Sequence, residues 1–92
     1  MADIRVTASG GDSYQVTVTD AASTTSHRVS ADSSTLERLA PSRSDVDIIE
    51  ASFRFLLDRE SKESILRSFD LAIIGRYFSE YEAVLGSYLG GD

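Results

Sequence analysis

A chain of 92 residues has room for one hydrophobic core, and 41% apolar and 26% charged residues with one proline and six glycines exclude a disordered or fibrous design. The absence of cysteine removes disulfides, thiolate ligands and thiol redox chemistry, and no apolar run nears the ~20 residues that span a bilayer. The net charge of −6 is carried by the second half, where ten acids face five bases from residue 44 onward, against five and four before it; such a surface disfavours a phosphate backbone as partner.

The expected organisation is one α+β domain over residues 1–92, soluble, cytoplasmic and without a membrane segment. Residues 3–30 alternate with the period of a strand. Ile4, Val6 and Ala8 share one face, and Tyr14, Val16 and Val18 share another. Gly10 and Gly11 supply the positive-φ positions of a tight hairpin, and residues 20–23 separate the second strand from a third at 24–29. Only Thr25, His27 and Val29 give that third strand an inward face. The simplest topology is a three-stranded antiparallel meander.

From residue 34 to 89 the pattern is helical, four to five helices expected mainly on one face of the sheet, and residues 90–92 read as a frayed tail. The run Ser34-Thr35-Leu36-Glu37 reads as a capping box for a short helix stopped by Pro41. Ser44 then caps the main helix at 45–58, with Asp45 and Asp47 placed where the helix dipole favours acids. On a helical wheel its charges Asp47, Glu50, Arg54 and Asp58 fall in one strip. Val46, Ile49, Phe53, Leu56 and Leu57 form the main apolar stripe, while Ile48 and Phe55 point almost the opposite way. Such a helix is either sandwiched within its own domain or shared with a partner. Three shorter helices are expected at 62–68, 71–78 and 80–89, opened by Ser61, Asp70 and a second capping box beginning at Ser79.

Chemistry is hard to assemble from these residues. Nucleophilic catalysis needs a base, and the single histidine, His27, falls on a strand with no serine in a strained elbow. The carboxylates Asp45, Asp47 and Glu50 sit where first-turn acids belong, and Asp58, Glu60 and Glu63 suit exposed ion pairs better than a metal or an acid/base pair. Gly10-Gly11 lacks the Lys and Ser/Thr of a phosphate loop. The C-terminal Gly90-Gly91 is followed by Asp92, and no strand pattern follows residue 30 to complete a ubiquitin-like fold. No catalytic, metal-binding or cofactor-binding residue is assigned, no cofactor is expected, and the reading is of a non-enzyme.

Three segments share an order and spacing beyond this. Residues 53–60 (FRFLLDRE), 64–71 (SILRSFDL) and 76–81 (RYFSEY) resemble a family of short uncharacterised prokaryotic proteins, and residues 25–29 extend the resemblance over most of the chain. It implies an independent single-domain protein and brings no activity, cofactor or site residue.

The expected function is therefore a small protein-protein interaction module whose partner is another protein or a second copy, as a homodimer. Its candidate surface is Ile48, Phe55, Tyr77, Tyr81 and Tyr88, from an excess of apolar helical residues over what three strands can cover. The alternative is a nucleic-acid-associated regulator in which residues 62–78 act as a helix-turn-helix-like pair with Arg67 and Arg76. The strongly apolar second helix and the acidic half that carries it make nucleic acid the disfavoured partner.

Overall fold

The computed structural model describes residues 2–89, so the tail at 90–92 lies outside the described residues. Three strands form as expected: β1 (Asp3–Ala8), β2 (Ser13–Thr19) and β3 (Thr24–Ser30). Their registers run without a bulge, Ile4 opposite Val18, Val6 opposite Val16 and Val16 opposite His27. The first hairpin turns on Gly10 at φ 108° and Gly11 at φ 57°, a left-handed excursion that a side chain resists. The second is held by Asp20, whose Oδ1 accepts from the backbone N–H groups of Ala22 and Ser23 at 2.9 and 3.0 Å. The two faces of this sheet differ. Ile4, Tyr14, Val16, Val18, His27 and Val29 are buried on one, whereas Arg5, Thr7, Ser26 and Arg28 on the other are exposed.

Four α-helical segments follow, α1 (Ser33–Leu39), α2 (Asp45–Leu57), α3 (Ile74–Tyr77) and α4 (Tyr81–Val84), the last two being single turns. Asp32, and not Ser34, caps α1, its carboxylate accepting from the Thr35 N–H at 2.8 Å. A charged acceptor just ahead of Ser34 makes the stronger bond, so the helix begins earlier than a Ser34 box would set it. Ser44 caps α2 as expected, its Oγ accepting from the Asp47 N–H at 3.1 Å.

The helix expected at 62–68 does not form. Residues Lys62–Ser64 make one 3₁₀ turn, and Ser68–Asp70 is a fourth strand, β4, parallel to β3 with Val29 opposite Phe69. Two pulls explain the departure. The Arg28 N–H donates to the Arg67 carbonyl at 2.7 Å and aligns this backbone with β3, and the Lys62 ammonium is drawn inward between Asp20 and Glu63, at 2.9 and 2.7 Å. The helix pair of a helix-turn-helix over 62–78 is therefore absent: a 3₁₀ turn, an extended segment and a strand occupy its first half. The second capping box fails as well, because Glu80 is held by Arg59 at 2.9 Å and Glu82 by Arg38, so neither carboxylate reaches back to cap α4.

The sheet is thus four-stranded and mixed, in the order β1-β2-β3-β4. Its apolar face receives α2, whose Phe53 lies against His27 and Phe69 with ring centroids at 5.4 and 5.9 Å. On the far side of α2, Phe55 meets Tyr81, Phe78 and Tyr88 at 5.1, 5.7 and 5.9 Å. The Arg59 guanidinium covers the Phe55 ring at 3.8 Å. The helix is apolar on two sides because it is sandwiched between the sheet and the C-terminal turns.

Candidate functional site

The expected interaction surface is largely consumed by this packing. Ile48, Phe55 and Tyr81 are 1%, 0% and 1% exposed, so the domain's own core takes all three. Tyr88 is half-buried and its hydroxyl donates to Asp58 at 2.6 Å. Tyr77 alone of the five stands free, at 68% exposure.

A second large apolar side chain joins it. Leu66 is 51% exposed, and it and Tyr77 flank one groove of about 400 Å³ whose walls include Leu56, Ile65, Phe69, Ile73 and Phe78. The groove is built by the non-helical course of the 62–70 segment. Ile65 turns inward and is 4% exposed, Leu66 turns outward, and Phe69 on β4 closes the sheet side. The 3₁₀ turn at Leu71–Ile73 and α3 contribute Ile73 and Tyr77 to the same lining. Asp70 sets that turn by accepting from the Ala72 N–H at 3.0 Å. Sequence reasoning misses Leu66 because a helical period over 62–68 counts it as core.

Arg67 and Arg76, chain neighbours of the two flanking residues, are exposed and make no ion pair among the described residues. Among those residues Glu60 is the one acid on the groove wall.

His27 and the ion-paired charges are committed to structure. His27 is 2% exposed, with Nδ1 donating to the Leu66 carbonyl at 2.9 Å and Nε2 bonded to the Thr25 hydroxyl at 2.8 Å. A carbonyl only accepts, which fixes the Nδ1 hydrogen. The imidazole thereby ties β3 to the groove's outer segment. A second concavity, lined by Asp20, Arg54, Asp58, Glu60, Lys62 and Glu63, brings one of the two candidate carboxylate sets, Asp58, Glu60 and Glu63, together with Asp20. Here Lys62 joins Asp20 and Glu63, and Arg54 joins Glu50 at 2.9 Å on the neighbouring helix turn. The Lys62 hydrogen bond, aided by two backbone N–H donors, pulls the Asp20 carboxyl down to about 2, and bonds to Glu63 and Asp20 raise the lysine. Among the described residues no three His, Asp or Glu side chains are grouped as metal ligands, and no helix is long and apolar enough to cross a membrane.

No family model matches this chain, and no curated protein and no solved structure matches it.

Proposed function

We propose that this domain is a non-enzymatic protein-interaction module that receives an apolar segment of a partner protein in the groove between Leu66 and Tyr77. One observation carries the reading: the two large hydrophobic side chains left exposed among the described residues, Leu66 and Tyr77, flank the same concavity. Burying such groups is worth about 1.5–3 kcal/mol each, and desolvated anchors in a groove are where binding energy concentrates. Arg67 and Arg76, the chain neighbours of these two residues, are exposed cations and on this reading favour a partner carrying Asp or Glu near its apolar anchor.

Selection of random peptides against the full chain tests this. Enriched peptides should combine an apolar anchor with flanking acids and should bind at least about tenfold more weakly to Leu66→Ser or Tyr77→Ser, the loss expected when one anchor's burial is removed. Thr17→Ala, on the opposite face of the sheet, should change nothing. No enrichment, or peptides indifferent to both groove variants, would overturn the proposal.

A further inference from the structure

The sheet has a second unpartnered feature, remote from the groove and independent of it: the outer edge of β1. In the order β1-β2-β3-β4 the opposite edge strand, β4, is three residues long, whereas β1 offers six in unbroken register. Exposed edges of this length are normally blunted by charged side chains, proline or a bulge, and β1 has no proline and no bulge. It does carry two charges of opposite sign on its solvent face, Asp3 and Arg5, which pair weakly with each other at 3.4 Å and are 67% and 81% exposed.

We infer that β1 pairs antiparallel with β1 of a second copy across a two-fold axis, extending the sheet to eight strands. The charge pattern selects the register. A two-fold axis perpendicular to the sheet keeps like faces together, so the central residue must lie opposite itself or opposite a residue of the same parity. Centring on Ile4 sets each Asp3 opposite the other copy's Arg5, Ile4 opposite Ile4, and Ala2 opposite Val6. Centring on Arg5 sets two arginines face to face. Centring on Val6 leaves Asp3 opposite Ser9 and Arg5 opposite Thr7, with no ion pair. In the first register four charges alternate in sign, and each gains a second opposite neighbour. On the other face, Ala2 and Val6 are only half-buried in the single chain and gain apolar cover. The strand also belongs to the half of the sequence with five acids against four bases, so the acidic bulk of the molecule does not oppose the approach locally.

Charge reversal tests both the interface and its register. Arg5→Asp and Asp3→Arg alter exposed side chains, and circular dichroism should report an unchanged fold. By sedimentation the wild-type chain is expected to dimerise at low salt, and each single variant to dimerise at least about tenfold more weakly, since both cross-strand pairs become like-charged. An equimolar mixture of the two variants should recover dimers, because the strand that is acidic at both positions then faces the strand that is basic at both. A monomeric wild type at ~1 mM, the weak end of measurable association, would overturn the inference. So would dimers indifferent to both reversals, or a mixture that stays monomeric. Dimers lost instead in Tyr77→Ser would overturn it too, and would place the second copy in the groove.

Discussion

Ser52 and Tyr81 meet inside the core with their oxygens 2.6 Å apart, and their roles are unequal. Ser52 Oγ donates its hydrogen to the Ile48 carbonyl at 2.8 Å, so the Tyr81 hydroxyl must be the donor between them. Burial pushes that phenol up to about 12. Ser52→Ala strands a buried hydroxyl and should cost about 1–3 kcal/mol in urea denaturation. Tyr81→Phe leaves Ser52 bonded to the backbone and should cost only about 0.5–1.5 kcal/mol. The double variant should lie closer to Tyr81→Phe than to the sum. At the second hairpin, Asp20 predicts a pH dependence. Its folded value of about 2 lies below the ordinary 3.8, so its contribution is complete above pH 3.8 and is lost as pH falls toward 2. Asp20→Asn should flatten the stability profile in that interval, measured by denaturation at stepped pH. The Lys62 side chain is 4% exposed in its ion pairs, whereas Asp20 is 37% exposed. Solvent screens the acid's end of that bond, so the direction of the effect is the prediction and not its size.

At the level of elements, α2 is the most legible and the most ambiguous. Its cap, its charged strip and its two apolar sides are all written in the spacing of Ser44, Asp47, Glu50, Arg54, Phe53 and Phe55. What spacing leaves open is who covers the second side. The C-terminal turns cover it, and Phe55→Ala should therefore cost about 3–5 kcal/mol of unfolding free energy without changing any association constant. An effect on association with stability intact would contradict that placement. The three-strand meander is equally readable, because each of its strands alternates and its turns carry Gly10, Gly11 and Asp20. β4 is not. Three residues, Ser68-Phe69-Asp70, are too few to show a period, and what makes them a strand is the edge of β3, nearly forty positions earlier. Reading Asp70 as a helix cap is correct for the 3₁₀ turn at Leu71–Ile73 and conceals the strand before it. The groove inherits the same blind spot: Leu66 faces solvent only because its segment runs extended beside β3.

Taken whole, the chain has a Cα radius of gyration of 12.2 Å, close to the ~12 Å expected for a packed domain of this length. The irregular C-terminal third is therefore packed in with the rest, held by the Phe55 cluster, by Arg59 to Glu80 and by Arg43 to the Leu89 carbonyl. Its regular hydrogen bonding is nonetheless sparse, since α3 and α4 are one turn each. Amide hydrogen exchange should rank β2 and α2 slowest and the 3₁₀ turns at Lys62–Ser64 and Leu85–Tyr88 among the fastest. Uniform protection across both halves would show that the terminal turns open only with the whole fold.

The parallel pairing of β4 with β3 also orders events in time. The meander closes through two short turns, but β4 cannot dock until residues 31–67 have been laid across the sheet, and long closures are slow. During synthesis the meander is complete while the last strand is still being made. For that interval β3 is itself an open border, with Val29 uncovered by Phe69. The nascent chain is then most exposed to mispairing, and substitutions at Phe69 should reduce the yield of soluble protein more than they reduce the stability of molecules that have already folded.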